Sequence, residues 1–321
     1  MDEPTQRRAV KAPHTPIRLD FCDIGPGFAK TNNFFFNLLK ERFEVQITDC
    51  PDFVIYFDPN QHVHRLLNCV RIFVGLERWA PNWKECDYAL TPNYLDDPRH
   101  LRLPYYVPWC DGPAPLVKNQ EDPEKLLAEK KGFCSFVVST NHPVKNRQRK
   151  EFFEKLSRHK KVDSGGRYMN NIGGPLPSGP ATKIEFLRRY KFHLAFENES
   201  HEGYTTEKIY HAMQSRTLPI YWGSPRIHEE FNSKSFLNYF EYGNDEALIA
   251  RIIELDRDDA KYLEYARQPY FHDNQPNEFF SSKRLLDFFE RIFSSPITPV
   301  ARQRRWFEVN RWLVARKNRP H

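Results

Sequence analysis

The sequence predicts an α/β fold made of two Rossmann-like halves with a cleft between them. Three observations carry this expectation. Short β-rich apolar runs, FVIYF (53–57) and VRIFVG (70–75), alternate with helical patterns early in the chain. A second series of the same kind begins at GFCSFVVST (132–140). Between them lies a proline-rich polar stretch, DGPAPLVKNQEDP (111–123), which reads as a linker. Strands alternating with helices call for a parallel sheet covered on its faces. A chain of 321 residues has room for two such domains.

In order, IRLDFCDI (17–24) reads as the first strand. A helix capped by Thr31 is expected through Arg42, with Phe34, Phe35, Leu38 and Leu39 inward. A short helix is expected around His62–Asn68, and a longer one over Arg149–Arg158. The Gly- and Pro-rich GGRYMNNIGGPLPSGP (165–180) reads as a long surface loop of the kind that often carries function. FHLAFE (192–197), Thr205–Ser215 and TLPIYWG (217–223) form a strand, a helix and a strand. The expected domains are 1–125 and 126–300, followed by a basic tail, 301–321.

The net charge is +6, and the last 20 residues hold seven Lys/Arg and one acid, Glu308. Seven minus one is six, so the tail accounts for the whole net charge and the body is neutral. That argues against nucleic acid as a partner. On a helix from Arg304 to Lys317, Trp306, Val309 and Leu313 share one face, with Arg304 and Arg311 opposite. Such a helix suits an anionic membrane interface, or packing back on the body. No apolar run approaches the roughly 20 residues that span a bilayer. The expected location is cytoplasmic, with Arg302–His321 as a candidate for peripheral contact with the inner face of the plasma membrane. Six cysteines include no C-x-x-C pair. Cys22, Cys69 and Cys134 sit in apolar runs and read as reduced core residues.

The densest chemical signal is FHLAFENESHEGYTTEKIYHAMQSRTLPIYWGSP (192–225). In a strand–helix–strand unit, ligands bind beyond the carboxyl ends of the strands. Thr205 or Thr206 suits the helix N-cap, which puts Glu207 and Lys208 in the first turn. A cation there opposes the helix dipole. Lys208 therefore points either to an anion beside it or to a plain solvated lysine. Asn198 follows the strand directly, where substrate-facing side chains belong. Arg167 follows Gly165-Gly166, a turn that would let the backbone approach a phosphate while the guanidinium forks its oxygens. Glu77 is a lone carboxylate after the apolar strand IFVG. Asp256-Arg257-Asp258 has the spacing of a metal-binding D-x-D, but its helical flanks make it an inter-helix cap.

These segments resemble a known family. FENE, GYTTEKI and LPIYWGSP, with SFLNYFEY downstream, are similar to the signature of the α-1,3-fucosyltransferases, glycosyltransferase family ten of the bacterial type. VDSGGRYMNNIGG, GLERWAPN and CDYAL…LRLPYY resemble further blocks of it, so the likeness runs from about Ile17 to Phe293. The resemblance implies a GT-B architecture, two Rossmann-like domains facing each other across a cleft. It implies inverting transfer of L-fucose from GDP-fucose to the 3-hydroxyl of GlcNAc or glucose in a β-galactoside, as in Lewis-type glycan or lipopolysaccharide synthesis. It places Arg167, Tyr204 and Lys208 on the diphosphate, Glu207 on ribose or fucose hydroxyls, Asn198 in the same pocket, and Glu77 as the general base. Arg78-Trp79 departs from the pattern beside that base. No cofactor is expected besides the donor substrate, with metal stimulation left open. The alternatives are an inactive GDP-sugar-binding protein and an inverting transferase that uses another GDP-sugar.

Overall fold

The computed structural model describes residues 16–303 except 76, 120 and 143. The chain forms two compact units. One comprises Met1–Gly75, Pro81–Leu90 and Ser282–His321; the other comprises Leu76–Ala80 and Thr91–Ser281. The expected boundary near 125 thus falls inside the second unit, and the chain returns to the first unit at its end.

In the first unit, β1 (Ile17–Cys22) leads to α1 (Phe34–Leu39), β2 (Val45–Ile47), β3 (Phe53–Tyr56), β4 (Val70–Val74) and β5 (Tyr88–Thr91). The strands pair in parallel in the order β2-β1-β3-β4-β5. Helix α1 starts later than expected, because Asn33 rather than Thr31 caps it by accepting from the Phe36 N–H at 3.0 Å. The buried face accordingly carries Phe35, Phe36, Leu38 and Leu39, and Phe34 is only half-buried. The helix expected at 62–68 is one 3-10 turn, Val63–Leu66. The Asp23 carboxylate holds it by accepting from the Val63 and His64 N–H groups at 2.8 and 3.0 Å.

In the second unit come β6 (His100–Arg102), α2 (Tyr106–Trp109), α3 (Pro123–Ala128), β7 (Gly132–Phe136), α4 (Arg147–His159), β8 (Val162–Ser164), α5 (Pro180–Arg188), β9 (Tyr190–Phe196), α6 (Glu207–Gln214), β10 (Leu218–Trp222), β11 (Leu237–Asn238), α7 (Asp245–Arg257) and α8 (Asp259–Ala266). The proline-rich stretch is therefore more than a linker. Asp122 caps α3 through the Glu124 and Lys125 N–H groups, with Pro123 at the first helical position. The sheet is parallel, in the order β11-β10-β9-β7-β8. Its central strand β9 is buried on both faces, as a run such as FHLAF requires. Phe133, Phe136, Phe152, Phe192, Leu194, Phe196, Ile220, Ile252 and Tyr262 share one apolar core. Asp258 caps α8 by accepting from the Lys261 N–H, and Asp256 pairs with Lys160, so the D-x-D is the expected inter-helix cap.

Helix α9 (Ser282–Phe293) closes the first unit. Its Leu285, Leu286, Phe288, Phe289 and Ile292 are buried. Phe289 meets Phe35 at 6.4 Å between ring centroids, and Phe293 meets Phe53 at 4.7 Å. That aromatic face is why the last segment belongs with the first. Helix α10 (Val300–Gln303) starts where the Val300 N–H donates to Asp87 at 2.8 Å, and Ala301 is buried. The amphipathic helix expected from Arg304 lies outside the described residues. No helix among the described residues is long and apolar enough to cross a membrane. All six cysteines are free; Cys69 and Cys134 are buried as expected, while Cys22 is half-buried.

Candidate active site

The carboxyl end of β9 delivers Glu197, which is fully buried. A buried carboxylate must be hydrogen-bonded or paired. Glu197 accepts from the Thr206 N–H at 2.8 Å, from the Thr206 hydroxyl at 2.7 Å and from Lys208 Nζ at 3.0 Å. Thr206 is the N-cap residue of α6, yet its hydroxyl turns to Glu197 rather than to the helix. The anion beside Lys208 at the helix start is thus a carboxylate of the protein itself. Burial works against charge on Lys208, but Glu197 and Glu207 overcome it and raise its pKa above the ordinary lysine value. Burial lifts the Glu197 carboxyl above its usual range, against the pull of Lys208. Burial would raise Glu207 too, yet Lys208 and Lys183 beside it hold it down at about 2.

The segment after β9 carries Asn198 and Tyr204. The Tyr204 hydroxyl donates to Glu77 Oε2 at 2.7 Å. Asn198 Nδ2 donates to the Tyr204 oxygen at 3.3 Å, and Arg149 Nη1 donates to Asn198 Oδ1 at 3.0 Å. Glu77 therefore ends a hydrogen-bonded chain, Arg149–Asn198–Tyr204–Glu77. Beneath it, Arg102 pairs with Glu230, both buried, and Glu230 accepts from the Thr205 hydroxyl at 3.1 Å. Gly203 sits at φ +81, and a Cβ there would lie 2.1 Å from the Pro92 carbonyl oxygen. The turn before Tyr204 is thus fixed by a glycine and a buried ion pair. Arg78 binds Glu199 at 2.7 Å, with Lys145 3.6 Å from the same carboxylate.

Glu77, Arg149, Lys183, Asn198, Tyr204, Glu207 and Lys208 line a cavity of about 320 Å³. Arg167 lines a second, of about 390 Å³, which shares Tyr105, Val137, Ser139, Lys183 and Glu207 with the first. All six residues singled out from the sequence therefore meet on two cavities with common walls. Two details add to the expectation. The Gly166 position is needed for packing within the protein, since a Cβ would stand 1.9 Å from the Val138 carbonyl oxygen. Tyr204 spends its hydroxyl proton on Glu77. Arg167, which lines the second cavity, is exposed.

The sequence reading missed Glu197, Arg149 and Lys183. Glu197 had a signal, an acid ending the apolar run FHLAF. Arg149 marks only the start of a helix in the sequence, and it is buried at the start of α4. Lys183 lies on α5, a helix not expected from the sequence, where burial lowers its pKa.

The chain matches two family models. Residues 19–109 match the α-(1,3)-fucosyltransferase FucT N-terminal domain, and residues 127–283 match glycosyltransferase family 10 (fucosyltransferase), C-terminal. The first span ends at 109 and the second begins at 127. An α-(1,3)-fucosyltransferase of Helicobacter pylori is 30% identical over 311 residues, covering 82% of this chain and 62% of the relative. A human 4-galactosyl-N-acetylglucosaminide 3-α-L-fucosyltransferase is 34% identical over 185 residues, covering 56% of this chain and 47% of that protein. The chain thus spans about half to two thirds of the length of these relatives. A crystal structure of an α1,3-fucosyltransferase with GDP-fucose superposes with a TM-score of 0.72 at 27% identity, covering 91% of this chain and 95% of that one. The same enzyme type with GDP gives 0.71 at 29% identity, covering 92% and 95%. The α/β, GT-B-like architecture is shared with these structures, and both matched regions, in the same order along the chain, make this protein a member of glycosyltransferase family 10, the fucosyltransferases.

Proposed function

We propose that the protein is an inverting fucosyltransferase that moves L-fucose from GDP-fucose to the 3-hydroxyl of GlcNAc or glucose in a β-galactoside acceptor. The observation that carries this is the placement of Glu77 on the same small cavity as Arg149, Lys183 and Lys208, while the other carboxylate of its lining, Glu207, is held ionised by Lys208 and Lys183. A single displacement needs one base and a positive setting for the leaving group, and no nucleophilic carboxylate. In this reading the acceptor oxygen attacks the anomeric carbon of fucose as its proton passes to Glu77. The bond from that carbon to the diphosphate oxygen breaks on the opposite face, and GDP leaves with the electron pair. Lys208 and Arg167 offset the charge that develops on the diphosphate. Lys208 stays protonated across the working pH range because Glu197 and Glu207 flank it. Glu207, ionised beside it, accepts hydrogen bonds from ribose or fucose hydroxyls. Asn198 lines the pocket between Arg149 and Tyr204. On donor binding, Tyr204 exchanges its bond to Glu77 for one to the diphosphate, which frees the base. No metal has a step in this scheme.

The test incubates the protein with GDP-fucose and a panel of type I and type II oligosaccharides, then maps product linkages. An α-1,3-fucosylated product is expected, with GDP-mannose inert. Transfer from GDP-mannose alone points to a different GDP-sugar, and GDP binding without turnover of any donor points to an inactive binding protein.

A further inference from the structure

A third cavity of the second unit, about 330 Å³, lies between α3 and α8. Its position is at the other end of the sheet from Glu197. Leu218, the first residue of β10, lines it, and so does Lys130, whose amine donates to the Arg188 carbonyl just before β9 at 2.9 Å. Four cations reach this cavity: Lys118, Lys130, Arg216 and Arg267. The two arginines are matched, Arg216 by Glu121 and Arg267 by Glu124. The two lysines are not. Lys118 Nζ donates to the Ala266 carbonyl and lies 4.1 Å from the centre of the Tyr270 ring. Lys130 Nζ has the Arg188 carbonyl and, at 3.5 Å, the Thr217 hydroxyl. Among the described residues neither amine has a carboxylate partner. The remaining walls are apolar and aromatic, with Leu126, Leu127 and Tyr262 among them.

Two amines with no carboxylate at ion-pair distance, set on a hollow with aromatic walls, are an incomplete ion cluster. A half-buried lysine in this position must lose its proton or gain an anion. We propose that this cavity is a second binding site, taking a small aromatic phosphate or carboxylate whose anionic group meets Lys130 and whose ring lies against the Leu and Tyr walls. The charge balance supports it. Burial, with Arg188 and Arg216 nearby, brings Lys130 down to about 7, against the opposing charge of Glu129. Burial and Arg216 bring Lys118 down to about 8, against Glu121. A lysine binds an anion only when protonated. Affinity is therefore highest about a unit or more below pH 7 and falls as pH rises through 7. The other ionisable side chains on the cavity are Glu121, Arg216, Tyr262, Tyr265, Arg267 and Tyr270. Glu121 raises Arg216 against its burial, and burial raises Tyr262 and Tyr270.

The experiment is a calorimetric titration of the full chain with phenyl phosphate and with benzoate at pH 6.5 and 8.5, with phenol as the uncharged control. Binding of at least one anion is expected, stronger at the lower pH. Lys130→Met should weaken it by about tenfold or more, the worth of a charge-assisted hydrogen bond. Lys130→Arg should keep it, as should Lys183→Met, which alters the other cavities. Met replaces an amine that lacks a counter-ion, so the fold should tolerate it, and circular dichroism confirms this. Anion binding no stronger than phenol overturns the proposal. So does binding that survives Lys130→Met but is lost in Lys183→Met, which assigns the anion to the carboxyl-end cavities.

Discussion

Lys208 and Lys130 stand at opposite ends of one sheet and have opposite electrostatics. Lys208 lies beyond the carboxyl end of β9, where Glu197 and Glu207 outweigh burial and keep it charged. Lys130 lies at the amino end of the same strand, where two arginines add to burial and bring it to about 7. Lysine is in both places, and the carboxylate neighbours decide whether it carries charge at neutral pH. At the carboxyl end Lys208 comes with its own counter-ions, Glu197 and Glu207. At the amino end the arginines are paired with Glu121 and Glu124, and the two lysines have no carboxylate at ion-pair distance among the described residues.

Among the residues of the carboxyl-end site, the largest effect is expected at Glu77. Glu77→Gln should leave GDP affinity nearly unchanged and lower turnover by about 10²-fold or more, the scale of lost general-base help. Near-normal turnover removes Glu77 from the reaction and leaves this cavity a binding site only. The next effect is on stability. Gly203→Ala puts a Cβ against the Pro92 carbonyl at φ +81, whereas Gly243→Ala, at φ +75, meets nothing within 4 Å. Both pay for the left-handed backbone, roughly 1 kcal/mol, and only Gly203→Ala must also move a backbone oxygen. Chemical denaturation should show Gly203→Ala less stable than Gly243→Ala by about 1–2 kcal/mol, with turnover reduced because Tyr204 shifts. Equal stability loss would mean that the turn before Tyr204 is slack.

What the sequence made legible follows from how local each signal is. FHLAFE, TLPIYWG and GFCSFVV are long apolar runs between turn signals, and each is a strand of the second sheet. Strands such as β8 and β11, of three and two residues, carry too little pattern to read. Asn198, Tyr204, Glu207 and Lys208 clustered because the strand-end rule and the family motifs both place them after β9, whereas Glu77 follows β4 and Arg167 follows β8. Lys208 shows the limit of a local reading: the misfit with the helix dipole was visible, but the anion that resolves it, Glu197, is set by the fold. Lys183 and Arg149 reach the cavity only through the packing of α5 and α4. The return of α9 to the first unit rests on contacts some 250 residues apart in sequence, such as Phe35 with Phe289.

The smallest expected effects lie outside both cavities. Excess EDTA should leave transfer unchanged, and complete loss restored by manganese would bring a metal into the scheme. Ending the chain at Ala301 removes the basic residues of 302–321. Each basic residue near an anionic surface contributes about 1 kcal/mol at most, so co-sedimentation with anionic vesicles should fall measurably and more so at low salt. Equal sedimentation of the two chains excludes a membrane role for the tail. A large loss of thermal stability on truncation assigns the tail to packing on the body instead.

The comparison of the two lysines also gives the most direct test of where the donor binds. GDP is titrated by calorimetry into the unaltered protein, Lys208→Ala and Lys130→Met. Lys208→Ala should weaken GDP binding by about tenfold or more, as expected for a lost charge-assisted contact to phosphate, and slow transfer with it. Lys130→Met should bind GDP as the unaltered protein does. Unchanged GDP affinity in Lys208→Ala would contradict the account, because the diphosphate would then be held somewhere other than the carboxyl end of β9.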